Sequence, residues 1–244
     1  GGVAKAGDID GDGDLDLFVG GRQVPNQYGY PSRSFILIND KGRFTDKTKE
    51  LAPDLEKPGM VTDAHWMDID QDEDQDLIVV GEWMPISIYQ NEGGKLENVT
   101  AVKGMADTEG WWNKIVAADM DGDGDQDLIA GNLGLNLKFK ASPERPFSMK
   151  VKDFDDNGSN DIYLAYYDQD GSLCPVRGRQ CSSQQMPFIK EKFKTYNEFA
   201  KASFDEVLGD LAEGAIEHEV KMFESVYIEN LGGGEFELHQ LPMA

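Results

Sequence analysis

The chain has 244 residues, 39% of them apolar, with 12 Phe, 8 Tyr and 4 Trp and a formal charge of −23. That is apolar mass enough for a real core in one large or two small domains. So acidic a chain is repelled by nucleic-acid phosphates and anionic lipid, and it holds no apolar run of about 18 residues that would span a membrane.

In chain order, the first element is a short strand, Val3-Ala-Lys-Ala6, followed by Asp8-Ile-Asp-Gly-Asp-Gly-Asp-Leu-Asp16 and a second strand, Leu17-Phe-Val19. The same strand–loop–strand unit recurs three times. Its loops are Asp68-Ile-Asp-Gln-Asp-Glu-Asp-Gln-Asp76, Asp119-Met-Asp-Gly-Asp-Gly-Asp-Gln-Asp127 and Asp153-Phe-Asp-Asp-Asn-Gly-Ser-Asn-Asp161. Nearly half of the 46 acidic residues sit in these four loops. Each reads D-x-D-x-[DN]-x-x-x-D and runs into Leu or Ile.

Oxygens at positions 1, 3, 5 and 9, with a carbonyl at position 7, suit the six to eight oxygen ligands of calcium. The candidate ligands are Asp8, Asp10, Asp12, Asp14 and Asp16; Asp68, Asp70, Asp72, Asp74 and Asp76; Asp119, Asp121, Asp123, Asp125 and Asp127; and Asp153, Asp155, Asn157, Ser159 and Asp161. No Cys or His lies in any loop, which disfavours zinc and softer metals. Magnesium prefers a tighter, more hydrated octahedron. An EF-hand needs a Glu at position 12, and here that position is Val19, Val79, Ala130 and Leu164. Three or four calcium ions are therefore expected. The open question is the second loop, where Glu73 replaces the glycine found at position 6 as Gly13, Gly124 and Gly158. There the loop turns at a conformational cost, binds calcium more weakly or stays empty.

A second pattern follows the loops. Ile36-Leu-Ile-Asn-Asp-Lys-Gly-Arg-Phe-Thr45, Ile88-Tyr-Gln-Asn-Glu-Gly-Gly-Lys-Leu-Glu97 and Tyr227-Ile-Glu-Asn-Leu-Gly-Gly-Gly-Glu-Phe236 each read as strand, Asn/Gly turn, strand. One module is thus four strands, and units of four strands at about 40–60 residues indicate propeller blades. The repeats are read as about 1–60, 61–110, 111–147 and 148–244, within a single region 1–244. A helical insertion is expected over about 171–221, with Phe188, Phe193, Tyr196 and Phe199 as a packing face and Ser203-Phe-Asp-Glu206 as a capping box. Cys174 and Cys181 lie inside it, close enough in sequence for a possible disulfide. The chain opens on Gly1-Gly2 without Met and reads as a piece of a longer protein. Its Leu-Pro-Met-Ala ending falls where another hairpin would begin.

These loops resemble the FG-GAP (VCBS) repeats of integrin α-chain propellers and their bacterial relatives, closely at residues 8–17, 119–128 and 153–162 and more loosely at 68–77. Gly131-Asn-Leu-Gly-Leu-Asn136, Gln185-Met-Pro-Phe-Ile and Glu229-Asn-Leu-Gly-Gly-Gly-Glu-Phe236 ending in Leu241-Pro are similar to bacterial secreted proteins of the cartilage-acidic-protein type, whose propeller precedes an ASPIC/UnbV module; that module is not found here. The resemblance implies an all-β fold: a β-propeller of about four FG-GAP-type blades, part of a larger propeller, with its open faces covered by self-association unless the four repeats close on themselves. It also implies adhesion or assembly without naming a partner.

The function expected is a calcium-binding, extracytoplasmic scaffold (periplasmic, cell-surface or secreted) that presents loops to a protein or glycan and has no catalytic residues. The alternative is a carbohydrate-active enzyme or glycan-binding module, with Trp111-Trp112 as a sugar platform. His65, His218 and His239 show no metal-ligand spacing and read as structural, and Trp66 and Trp83 read as core.

Overall fold

The computed structural model describes residues 2–241. Residues 1 and 242–244, and so all of the Leu-Pro-Met-Ala ending except Leu241, lie outside the described residues. The chain forms four antiparallel sheets and a small group of helices.

Sheet 1 is β1 (Val3–Gly7), β2 (Asp16–Gly20), β3 (Phe35–Asp40) and β4 (Arg43–Asp46), in that order. A short helix, α1 (Thr48–Leu51), and a 3-10 turn lead to sheet 2. Sheet 2 is β5 (Met60–Met67), β6 (Asp76–Met84), β7 (Ser87–Asn91) and β8 (Leu96–Asn98), with β9 (Gly110–Trp111) on the far end of β6.

Sheet 3 begins with β10 (Lys114–Ala118) and β11 (Asp127–Gly131). The chain then leaves it to build sheet 4 from β12 (Phe147–Lys152), β13 (Asp161–Tyr167) and β14 (Leu173–Pro175), four helices and β15 (Ile216–Val220). The helices are α2 (Arg179–Gln185), α3 (Phe188–Lys192), α4 (Tyr196–Lys201) and α5 (Phe204–Leu208). Only afterwards do β16 (Val226–Asn230) and β17 (Phe236–Gln240) complete sheet 3, through Leu128↔Ile228, Ile129↔Tyr227 and Ala130↔Val226. The repeat boundaries at 111–147 and 148–244 are thereby corrected. The hairpin of Tyr227–Phe236 belongs to the third unit, and sheet 4 is an insertion within that unit. Three copies of one hairpin pattern say that a strand pair forms but not which sheet accepts it.

Alternation explains how sheets 1 to 3 stack. β6 is buried along its whole length because both its faces are covered. Leu77 and Val79 point toward Phe18, Ile36 and Ile9 of the sheet 1 unit. Ile78 and Val80 point the other way, toward Ile115, Leu128, Val226 and Ile228 of sheet 3. Asp63 on β5 ties the three together. Buried at 1% exposure, it receives Lys5 of β1 at 3.1 Å, Lys114 of β10 at 3.0 Å and the amide of Ile115 at 3.2 Å. Burial raises its pKa, but the Ile115 amide and the Lys114 and Lys5 ammoniums outweigh that and hold it below the ordinary 3.8.

Sheet 4 does not continue the stack, so the version in which four repeats close on themselves is not what forms. Its apolar face (Phe147, Met149, Val151, Val220) meets Met60 and Trp83, where β5 and β6 lie farthest from their aspartate loop. Its other face carries the helices through Phe154, Tyr163, Phe199, Phe204 and Leu208. The capping box at Ser203–Glu206 forms, and so does one at Thr195–Glu198. The four aromatics do not share one helical face: Phe199 is buried with Phe193 edge-on at 5.6 Å, whereas Tyr196 is 63% exposed beside Arg179. The two cysteines are free. Cys174 is half-buried in β14, and on α2 it is Ser182 and Ser183 that turn inward, which leaves Cys181 exposed.

Candidate metal centres

Each aspartate loop joins two neighbouring antiparallel strands, with positions 9 and 0 facing each other, as in Gly7↔Asp16 and Lys152↔Asp161. Two left-handed residues make the turn. Position 6 has φ of 91° at Gly13, 102° at Gly124 and 87° at Gly158. Glu73 adopts the same conformation at 76°, where a Cβ is strained.

Within the loop, the first aspartate gathers backbone amides. Asp8 accepts Gly11 N at 2.9 Å and Gly13 N at 3.0 Å, and Asp68 accepts Gln71 N at 2.7 Å and Glu73 N at 3.0 Å. Asp153 accepts Asn157 N and Gly158 N, and Asp119 accepts Gly122 N. The ninth aspartate reaches back across the loop: Asp16 accepts Ile9 N, Asp76 accepts Ile69 N, Asp127 accepts Met120 N and Asp161 accepts Phe154 N.

The result is four clusters, Asp8/Asp10/Asp16, Asp68/Asp70/Asp76, Asp119/Asp121/Asp127 and Asp153/Asp155/Asp161, each with one oxygen per residue within 4.8 Å of the others. These are positions 1, 3 and 9. At position 5 the carboxylates of Asp12, Asp72 and Asp123 are not among the converging groups, and they and Asn157 each accept the amide two residues on. The side chains at position 7 have another task. Asp14 accepts Lys41 N at 2.8 Å and Asp74 accepts Gly93 N at 3.1 Å, so both clip the loop to the next hairpin. Among the described residues Asp125 makes no such clip and keeps a buried oxygen without a partner; Ser159 is exposed.

All donors are oxygens, which suits a hard cation. One buried carboxylate oxygen of Asp70 and one of Asp155 find no hydrogen-bond partner among the described residues. Unpaired buried carboxylate oxygen is costly, and a cation at the centre of the cluster would satisfy it. Crowding shows in the titration too. Burial pushes Asp76 up to about 6 against the opposing amides of Asn91 and Ile69, with the charges of Asp70 and Asp72 adding to it. Burial followed by neighbouring aspartates likewise raises Asp10 and Asp70.

A supporting residue escaped the sequence reading. The Asn of each Asn/Gly turn clasps the loop before it. Asn39 donates its amide N–H to Asp16 and its side chain to Leu15 O at 3.0 Å, and its own oxygen accepts Gly42 N. Asn91 does the same with Asp76, Gln75 O and Gly94 N, and also reaches Ile9 O of the first loop at 2.9 Å. Asn230 repeats it with Asp127, Gln126 O and Gly232 N, across about a hundred residues of chain. The fourth loop has no such Asn. Gln185 at the end of α2 takes its place and donates to Ile162 O at 3.2 Å.

Of the remaining sequence candidates, Trp112 is fully buried, and Trp111 packs against Trp83 at 5.0 Å. Trp83 donates to Tyr28, whose hydroxyl binds the buried Glu82 that Arg22 also holds. This joins the β2–β3 loop of sheet 1 to sheet 2. His218 bonds Gly29 O at 2.7 Å. His239 lies with Glu229 and Glu237 within 4.8 Å across the β16–β17 ladder, a proximity that cross-strand pairing creates and linear spacing hides. No helix among the described residues is long and apolar enough to cross a membrane.

Residues 8–79 and again 68–130 match the FG-GAP-like repeat, together spanning half of the chain. The chain belongs to the FG-GAP-like repeat family. A comparison with curated proteins finds no match.

Proposed function

We propose that this chain is a calcium-stabilised, non-catalytic binding scaffold that works outside the cytoplasm, where calcium is millimolar. The observation that carries the reading is the fourfold recurrence of a three-aspartate cluster in one register, two of the four with a buried, unpartnered oxygen. Carboxylates about 5 Å apart repel by about 3 kcal/mol at an effective dielectric near 20. Calcium reverses the sign of that term, so each loop becomes a rigid joint between two strands. Rigid joints hold the loops at the sheet ends in fixed positions, as recognition requires.

The propeller is part of the same proposal. Sheets 1, 2 and 3 stack face to face as neighbouring blades would, with three aspartate loops at one end. The outermost faces of the stack are apolar and only half covered: Leu17, Val19, Phe35 and Leu37 on sheet 1, and the cross-strand row Val116, Ile129, Tyr227 on sheet 3. Further blades or a second copy would cover them, which favours a unit of a larger propeller. Kinship with cartilage-acidic-protein-type secreted proteins, read from residues 131–136, 185–189 and 229–236, belongs to this reading as well, as does a protein or glycan partner.

Calcium titration by calorimetry on chelator-stripped protein, with a melting curve at each step, tests it. Three or four sites are expected, each adding about 1.4 kcal/mol at ten times its dissociation constant. A melting temperature indifferent to calcium would overturn the reading.

A further inference from the structure

At the end of sheet 4 opposite its aspartate loop, a cavity of about 490 Å³ opens between the 138–145 segment and the turn that links β13 to β14. Its volume lies in the range of small-ligand sites. Three cations converge on it: Lys138, Lys140 and Arg145. This is unexpected in a chain with 46 acidic residues and 23 basic ones. Three cations elsewhere each collect two carboxylates: Lys150 has Asp205 and Glu217, Lys221 has Asp107 and Glu109, and Arg33 has Asp46 and Glu56. Among the described residues, the three around this cavity form no ion pair. Asp168, also on the lining, accepts the amide of Gln169 instead.

The cations are held by neutral contacts. Lys138 lies 4.7 Å from the centre of the Phe139 ring, and Lys140 reaches Leu135 O at 3.4 Å. Arg145 ends a tight turn closed by two backbone bonds with Ser142 and bracketed by Pro143 and Pro146. Its guanidinium lies against Gly171, where an added Cβ would stand 3.4 Å from Nη2. Two half-buried tyrosines, Tyr166 and Tyr167, form the wall, the former propped by Phe139 at 5.0 Å.

We infer that this cavity binds an acidic sugar. The uronate carboxylate pairs with Arg145, for which a planar guanidinium is the matching fork. Lys138 and Lys140 supply the surrounding positive field, and the sugar ring lies along the tyrosines. A protein partner is the poorer fit, because interfaces anchor on apolar pockets and Ala141 is the only aliphatic residue on this lining. The strongly negative remainder of the molecule repels an anionic glycan, so binding is confined to this end. The inference rests on reading the chain as a binding scaffold and names the ligand class for one of its surfaces; the aspartate loops take no part in the contact.

The test is calorimetric titration of the full chain, in saturating calcium, with a hyaluronan octasaccharide, whose alternate sugars are glucuronate. Saturation below about 1 mM is expected, with neutral cellohexaose silent and affinity falling as salt is raised. Arg145→Ala should weaken binding at least about ten-fold, and Lys138→Ala with Lys140→Ala should weaken it further, with melting temperatures unchanged. Absence of heat overturns the inference, as does equal binding by Arg145→Ala or equally tight binding of an octa-glutamate peptide. Melting with calcium and after chelation is read on the same preparations. If the difference persists while the sugar fails, the scaffold reading stands without this site. If it is absent, the scaffold reading fails whatever the sugar does.

Discussion

The first three aspartate loops and the fourth carry the same three converging carboxylates, yet different neighbours support them. Loops 1 to 3 are each gripped by an asparagine from the third strand of their own sheet, and the asparagine's turn is fastened in the same stroke. Loop 4 leans on Gln185 at the end of a helix. The first arrangement couples loop to sheet and, through Asn91 and Ile9, one sheet to the next. The second couples loop to helices that pack on the outer face of sheet 4. One ligand pattern therefore serves two mechanical settings: three loops are built into a cooperative stack, and the fourth depends on the fold of its helices.

The largest effect should come from cutting the stack at Asp63. Asp63→Ala removes two ammonium contacts and one amide bond from a fully buried carboxylate, at a cost of about 3 kcal/mol. If sheets 1 to 3 are one cooperative unit and sheet 4 another, urea melts of the variant should separate into two transitions. A single transition with unchanged midpoint would dissolve the distinction. The pH dependence follows from sign. The carboxyl is held below its ordinary 3.8, so its contribution is complete above that value and disappears as pH falls through the lower folded value. Wild type and variant should therefore differ most at neutral pH and converge in strong acid.

Next in size, Asn91→Ala should cost about 2 kcal/mol, because Asn91 is fully buried and the carbonyls of Ile9 and Gln75 and the amide of Gly94 lose their partner together. Gln185→Ala, which removes one donor, should cost about 1 kcal/mol. Equal losses in chemical denaturation would mean that the asparagine clasp gives the first three loops no special support. The smallest effect is a gain. Glu73 holds a left-handed conformation that glycine occupies freely, so Glu73→Gly should raise stability by about 1 kcal/mol and make loop 2 the equal of loop 1.

The loops, the strands beside them and the hairpins after them are local features, written in residues that a few bonds bring together, and the sequence shows them openly. Even the cost at Glu73 is visible as a missing glycine. What lies beyond local pattern is pairing. Tyr227–Phe236 announces a hairpin, but only its pairing with β11, where Asn230 meets Gln126, reveals its sheet. The aspartate that recurs at position 7 has a second use that pattern does not show: Asp14 and Asp74 spend their carboxylates on the adjoining turn. The capping box at Thr195–Glu198 has a Thr-x-x-Glu signature as legible as the Ser-x-x-Glu of its neighbour at 203–206. His239 and Glu229 stand on opposite strands, and Lys138, Lys140 and Arg145 on an irregular segment, where no periodicity points.

The late return of β16 to β11 has a consequence for synthesis. A ribosome delivers Asp127 and then must make all of sheet 4 and its helices before Asn230 emerges to clasp Gln126. Until then β11 offers an unpaired apolar edge to whatever strand is nearby. The inserted sheet thus sets the order of assembly: the first two sheets can close as they appear, while the third waits for the last hairpin. Any pause or cut within residues 132–225 strands a half-built sheet.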